Sequence, residues 1–149
     1  MLGHVSMLTD LTLVASGTRN YIITADKDEH IRVSRDIPQT HVIEGFCLGH
    51  TDFISRLCVP KERPDLLISG GGDDELFIWE WESGRLVSKE DLKSHVVFVM
   101  RESDGWKESE KTITAVKIAV SGLHCTRQLL NGQAQDSVIV TCEGWVSSK

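Results

Sequence analysis

The sequence predicts an all-β protein built from repeated four-stranded units. Three histidines, His4, His50 and His95, stand about 45 residues apart in a chain of 149 residues. A repeat of this length is typical of one blade of a β-propeller. Propellers close with about four to eight blades, and the chain is long enough for about three of them. We therefore predict a partial propeller that is a fragment of a larger one.

The first two units carry matching residues at a constant distance. Segments 21–34 and 66–79 keep apolar residues at the same positions, and both are typical of a strand, a tight turn and a second strand. The matched pairs, each offset by about 45 residues, are Thr24 with Ser69, Asp28 with Asp73 and Ser34 with Trp79. Several matches at one offset indicate a true repeat.

These residue types at this spacing resemble the signature of WD-repeat proteins. In that family a His, a Ser or Thr, an Asp and a Trp form a hydrogen-bonded chain that ties a loop of each blade to its inner strands. The chemistry is reasonable, because a buried imidazole, carboxylate or indole each needs a partner. The resemblance implies a structural role for His50, Ser69, Asp73 and Trp79 in the second unit and for His4, Thr24 and Asp28 in the first.

We expect three units with approximate boundaries at residues 3–47, 48–93 and 94–149. The third unit departs from the period, because its apolar run ending in Thr141 comes later than the repeat requires. An insertion near residues 101–135 accounts for the difference, and the last unit is incomplete. The chain would then be a fragment, the product of a shortened gene model, or a chain that another copy completes.

The charge balance argues against a chain that binds nucleic acid by itself. The formal net charge is −6 at pH 7, whereas a basic surface is the usual sign of such binding. Any RNA contact would be shared with a basic partner. No apolar run reaches roughly 18 residues, and residues 1–13 lack the features of a signal peptide. We therefore expect a soluble protein of the nucleus or the cytosol.

The residues that could suggest chemistry have simpler explanations. The four cysteines show no Cys-x-x-Cys spacing and no histidine at zinc-ligand distance, so we expect reduced thiols in buried strands. The glycines at 70–72 precede acidic residues and suit a hairpin turn, not a phosphate-binding loop. The acidic groups at 26–29 and 73–75 could in principle bind a cation, but their members Asp28 and Asp73 are already assigned to internal hydrogen bonds. We predict no catalytic, cofactor-binding or metal-binding residue.

Two segments resemble one branch of the WD-repeat family in particular. They are Tyr21-Ile-Ile-Thr-Ala-Asp-Lys-Asp-Glu-His-Ile-Arg-Val-Ser34 and Thr40-His-Val-Ile-Glu-Gly-Phe-Cys-Leu-Gly-His-Thr-Asp-Phe-Ile-Ser-Arg56. Both resemble the non-catalytic WD-repeat subunit of the eukaryotic, fungal-type tRNA (guanine-N7)-methyltransferase, and residues 111–120 fit the same family. The resemblance extends over roughly residues 1–145.

This resemblance implies a scaffold role. In the family a separate subunit binds S-adenosylmethionine and methylates a guanine in the variable loop of tRNA. The propeller subunit holds this catalytic subunit in a competent form and helps to place the tRNA. For our chain the resemblance implies a catalytic partner subunit, contact with tRNA through the complex, no cofactor or small-molecule substrate of its own, and no membrane. It places the complex in the nucleus, with the cytoplasm as a second compartment.

Arg32 is the residue for which a partner contact can be argued furthest. Strand alternation places Ile31 and Val33 on one face, and Arg32 on the other with Ser34, where a Trp is expected. Arg32 either pairs with a nearby acid such as Asp26 or Glu29, or reaches a carboxylate of the partner subunit. A basic residue at this position is, in the family, a candidate for the subunit contact. Further candidates for the same surface are Lys27, His30, Arg35 and Arg56.

Two other classes of function stay open on the sequence alone. The first is a generic WD-repeat module for protein–protein interaction, with peptide partners on the narrow face of the propeller. The second is a catalytic domain with a site formed by His95, Asp104 and Glu108 around the insertion.

Overall fold

The computed structural model describes residues 5–95 and 116–146, which form ten β-strands joined by turns and loops. In chain order the strands are β1 Leu8–Ser16, β2 Arg19–Asp26, β3 Ile31–Arg35, β4 Ile43–Cys47, β5 Ile54–Cys58, β6 Leu66–Gly71, β7 Glu75–Glu80, β8 Arg85–Asp91, β9 Val116–Leu130 and β10 Gln133–Val146. The prediction of an all-β fold is confirmed.

The strands form two four-stranded antiparallel sheets and one two-stranded hairpin. Sheet 1 has the order β1-β2-β3-β4, sheet 2 has the order β5-β6-β7-β8, and the hairpin pairs β9 with β10. Each sheet is a meander in which neighbours in sequence are neighbours in space. Sheet 1 lies within the predicted first unit and sheet 2 within the second, while the hairpin belongs to the third.

A large apolar core, which we call core 1, lies between sheets 1 and 2. Sheet 1 contributes Ile23, Ile31 and Val33, which alternate along β2 and β3 with residues of the opposite face. Sheet 2 contributes Leu67 and Trp79, both fully buried. The remaining members of core 1 are Val14, Ala25, Cys47, Ile54, Leu57, Phe77 and Trp81.

A smaller core, core 2, lies between the opposite face of sheet 2 and the hairpin. Its buried members are Ile68 and Leu76 from sheet 2 and Val120 and Leu123 from β9. Sheet 2 is therefore covered on both faces. This explains why β6 contains adjacent buried residues such as Leu67 and Ile68 instead of an apolar–polar alternation.

The three units meet along their first strands. Strand β1 packs beside β5, and β5 packs beside β9. The arrangement matches a propeller, in which the innermost strand of each blade faces the central axis. In the described part of the chain, β1, β5 and β9 each have a ladder partner on one side, so their other edges must find polar partners elsewhere.

The segment to which the sequence assigns an insertion, 101–135, is described from residue 116 onward. This part consists of β9, a two-residue turn at Asn131 and Gly132, and the start of β10. Both turn residues have positive φ angles, +52° and +77°, as a tight hairpin turn requires. The apolar run that ends in Thr141 lies within β10, and β9 and β10 are both longer than the strands of the other units. Among the described residues, no helix is both long and apolar enough to span a membrane.

Candidate interaction surface

A buried hydrogen-bonded chain runs through sheet 2. His50 Nδ1 lies 2.6 Å from Asp73 Oδ2, and His50 Nε2 lies 2.7 Å from Ser69 Oγ. Trp79 donates its indole N–H to the same Ser69 oxygen at 2.8 Å. All four residues are at most 9% exposed. These four hydrogen-bonded residues tie the loop before β5 to β6 and β7, so their geometry is that of a structural clasp.

The hydrogen bonds favour a neutral His50 ring. Because Ser69 Oγ accepts the indole N–H, its own hydroxyl can donate to His50 Nε2, and the ring donates from Nδ1 to Asp73. Burial lowers the pKa of His50, although the hydrogen bond to Asp73 acts in the opposite direction. Burial acts to raise the pKa of Asp73, but hydrogen bonds from Thr51 and His50 outweigh it and lower that pKa. A neutral imidazole beside an ionised carboxylate results.

Aromatic rings enclose this chain. The Phe77 ring centroid lies 3.9 Å from that of His50 and 5.7 Å from that of Trp79. Lys89 places its ammonium group 4.4 Å from the Phe77 centroid, a cation–π contact. The side chain of His50 has 0% exposure. A buried imidazole of this kind fits a structural role in the blade.

The matching turn of sheet 1 has a buried carboxylate of its own. Asp26, which is 3% exposed, accepts the backbone N–H groups of Asp28 at 2.9 Å and of His30 at 3.0 Å. Asp28 itself is exposed at the tip of the turn. Asp26 therefore supplies the buried carboxylate that binds the N–H groups of this turn, whereas the predicted bond of Asp28 in a set with His4 stays a prediction. Thr24 is buried on β2, and His4 lies outside the described residues.

Arg32 lies on the face of sheet 1 that is turned away from core 1. It stands opposite Thr24 on β2 and opposite Phe46 on β4, so it occupies the middle of a cross-strand row. The side chain is half-buried. It lines an open cavity of about 190 Å³ together with Val5, Ser6, Asp26, Asp28, His30 and Phe46. Arg32 is thus accessible but held between neighbouring strands.

The structure brings some of the other candidates to Arg32 and separates the rest. Lys27 and His30 are exposed on the β2–β3 turn, and His30 also lines the cavity. Arg35 lies at the far end of β3, where it pairs with Glu44 and donates to Gln39. The remaining candidate, Arg56, is exposed on β5 of sheet 2. We use the name turn surface for Lys27, His30 and Arg32, which lie on or next to the β2–β3 turn. Arg35 and Arg56 lie apart from it.

The cysteines include a pair that sequence spacing did not reveal. Cys58 and Cys125, 67 residues apart, form a disulfide, so the expectation of reduced thiols is wrong for these two. Packing of β5 against β9 brings them together. Cys-x-x-Cys spacing cannot reveal such a pair, because their proximity is set by the tertiary structure. Cys47 and Cys142 are free thiols. Burial raises the pKa of Cys47 to about 12.

No metal site was predicted, and the described part of the chain contains no group of three His, Cys, Asp or Glu side chains that could hold a metal ion. The alternative catalytic group includes His95, which is exposed at the end of the first described range. Its other members, Asp104 and Glu108, lie outside the described residues.

Four-stranded meanders packed side by side, with a buried His-Ser-Asp-Trp chain in one of them, define a WD-repeat protein. A family model described as the tRNA methyltransferase TRM82 WD40 domain matches residues 1–147, and the chain belongs to this family. The resemblance seen in the sequence and the WD-repeat fold are both confirmed.

Similar proteins come from several fungi. Relatives from Sclerotinia sclerotiorum and Phaeosphaeria nodorum are 51% and 47% identical over 144 residues, which is 97% of this chain. A relative from Aspergillus fumigatus is 59% identical over 96 residues, or 60% of the chain. All three are named as the non-catalytic subunit Trm82 of tRNA (guanine-N(7)-)-methyltransferase. The chain spans 27%, 29% and 19% of their respective lengths.

Proposed function

We propose that this chain is part of a non-catalytic subunit that binds the catalytic subunit of a tRNA (guanine-N7)-methyltransferase and helps to place tRNA for methylation of a variable-loop guanine. Membership of the family and the names of the relatives support this proposal. S-adenosylmethionine and the chemistry belong to the partner, and this chain acts as a scaffold. We propose the nucleus as its main compartment.

The half-buried Arg32 is the observation that carries the proposed contact. It is half-buried in a row between Thr24 and Phe46, so it has less conformational entropy to lose on binding than a fully exposed arginine. A guanidinium group binds a carboxylate through two parallel hydrogen bonds, which fixes orientation as well as affinity. We propose that an acidic side chain of the catalytic subunit docks at the cavity beside Arg32.

The rim of the same cavity adds selectivity. His30, Asp26 and Asp28 line it, and Lys27 is exposed on the same turn. A surface of mixed sign favours a partner that places an acid at Arg32 and a donor near Asp28, and it disfavours partners of a single charge sign. Such complementarity sets the register of two subunits and speeds their encounter.

Contact with tRNA is proposed to occur through the complex. A chain with a formal net charge of −6 repels polyphosphate unless a basic subunit shares the surface. The scaffold would therefore act on tRNA by holding the catalytic subunit in place, and its own basic residues would serve mainly the protein contact.

Co-expression of the chain with the tRNA guanine-N7 methyltransferase subunit, followed by affinity capture and a tRNA methylation assay, tests the proposal. Arg32→Glu should raise the Kd of the complex by about 30-fold or more, because a broken interfacial charge pair commonly costs about 2–5 kcal/mol. Arg63→Glu is the matched control, since Arg63 is exposed in a loop of sheet 2 and pairs only with Asp65 there. It should leave the Kd within about threefold, as for an exposed ion pair.

Three outcomes would count against the proposal. Equal Kd values for Arg32→Glu and wild type would remove the contact at the cavity. Failure of the chain to capture the catalytic subunit, where a full-length relative captures it, would place the contact outside these units. Capture of many unrelated proteins but no methyltransferase would favour a generic interaction module.

A further inference from the structure

The Cys58–Cys125 disulfide crosses an interface between two units. Cys58 is the last residue of β5 in sheet 2, and Cys125 lies within β9 of the hairpin, with 6.3 Å between their Cα atoms. This separation is within the range that a disulfide spans without backbone movement. Strands β5 and β9 belong to different sheets. The bond therefore joins two elements that share no backbone ladder.

The same interface is otherwise held by few buried groups. Core 2 has four buried side chains with six partly buried ones packed against them, whereas core 1, between the two full sheets, has twelve buried and two partly buried ones. The ion pairs that reach the hairpin, Arg127 with Glu62 and Lys117 with Asp52, are solvent-exposed, and exposed pairs stabilise weakly. A covalent link consequently carries a larger share of the attachment here than it would between sheets 1 and 2.

The two bridged cysteines are partly buried at the edge of core 2. Cys58 and Cys125 are both half-buried, whereas Cys47 is fully buried in core 1. Cys142 is half-buried at the edge of core 2 and stays a free thiol. The chain thus contains one bridged pair together with two unbridged cysteines that serve as internal references.

We propose that Cys58 and Cys125 form a redox-reversible clamp that fixes the β9–β10 hairpin on sheet 2 when oxidised and lets it open when reduced. A glutathione disulfide is the oxidant. The thiolate of one cysteine attacks a sulfur of the glutathione disulfide, which forms a mixed disulfide and releases one glutathione thiolate. The second cysteine thiolate then attacks the protein sulfur of the mixed disulfide, so the protein disulfide forms and the second glutathione leaves. Two protein thiols lose two protons and two electrons, and excess reduced glutathione reverses both steps.

Hydrogen exchange of the whole chain in glutathione buffers tests the clamp. In oxidised buffer, peptide mapping should find Cys58 joined to Cys125, and Cys142 should remain free. In reduced buffer, amides of β9 and β10 should exchange at least about 10-fold faster, because release of a crosslink allows local opening. Amides of β2 and β3 should exchange at the same rate in both buffers. This comparison needs no substitution, so a folding defect cannot confuse it.

Variants separate the bridge from general effects of thiol chemistry. Cys125→Ser should abolish the difference in hairpin exchange between the two buffers, and Cys142→Ser should preserve it, with circular dichroism as the check that each variant is folded. A bridge that includes Cys142, the absence of any internal disulfide in oxidised buffer, or equal hairpin exchange in the two buffers would each overturn the clamp.

Discussion

The carboxylate of Asp10 in β1 accepts the backbone N–H of Leu57 in β5 at 2.7 Å. This bond joins the first strands of sheets 1 and 2. Among the described residues β5 forms a ladder with β6 alone, so the N–H of Leu57 points from the other edge of the strand and needs a partner. Asp10 supplies that partner and ties two units together at their inner edge.

Replacement of Asp10 should weaken the attachment of sheet 1 to sheet 2. Asp10→Ala leaves the Leu57 N–H without its acceptor and should lower the free energy of unfolding by about 1–3 kcal/mol. Asp10→Asn keeps an acceptor oxygen and should lose less. Urea denaturation followed by circular dichroism measures the difference. Asp36→Ala is the control, because Asp36 accepts only the N–H of the next residue; an equal loss there would contradict the interpretation.

Ser69 is the centre of the buried chain in sheet 2, so its hydroxyl should be costly to remove. Ser69→Ala deprives both the Trp79 indole N–H and His50 Nε2 of a partner. Two unsatisfied buried groups should cost about 2–4 kcal/mol in the free energy of unfolding. Denaturant titration provides the value, with Ser83→Ala in the exposed β7–β8 turn as the control. A loss of unfolding free energy below about 1 kcal/mol would show that the four hydrogen-bonded residues are not a tightly coupled unit.

Stability should fall as the pH drops below about 6.5, the ordinary pKa of histidine. The folded pKa of His50 is lowered by burial, so the unfolded state binds the proton first and unfolding becomes easier with falling pH. Asp73 adds a further loss at lower pH, because its folded pKa is also lowered and its stabilising charge disappears as pH falls through that value. Denaturation of the wild type and of His50→Gln at pH 7.5 and 5.5 measures the effect. Wild type should lose more than the variant over this range, and identical slopes would assign the dependence to other groups.

Gly84 should be intolerant of any side chain. It has a φ of +71° in the β7–β8 turn, and an added Cβ would overlap the carbonyl oxygen of Phe46 in β4. Gly84→Ala should therefore cost more than the roughly 1–2 kcal/mol expected from left-handed backbone strain alone. Gly17→Ala isolates that strain, since Gly17 has a φ of +59° and nothing lies within 4 Å of its added Cβ. Thermal and urea unfolding of the two variants should differ, and equal losses would refute the close approach of this turn to sheet 1.

The sequence could predict the hydrogen-bonded residues of sheet 2 and the turn surface to different degrees. His50, Ser69, Asp73 and Trp79 stand at the family spacing, and the geometry joins all four. The sequence did not predict that Asp26 binds the N–H groups of the β2–β3 turn, because an offset of about 45 residues does not report where a turn directs its N–H groups. The predicted role of Asp28 stays a prediction. The contribution of Arg32 to a subunit contact stays a prediction.

The sequence by itself determined the repeat, the all-β class and the strand–turn–strand pattern, because these depend on local spacing and on apolar alternation with a period of two. Only the tertiary structure decided which faces are covered, that Cys58 meets Cys125, and that Asp10 binds the edge of β5. Those contacts depend on the packing of one unit against the next. Packing distances between residues far apart in the chain are set by the summed shape of many side chains, which no short motif encodes.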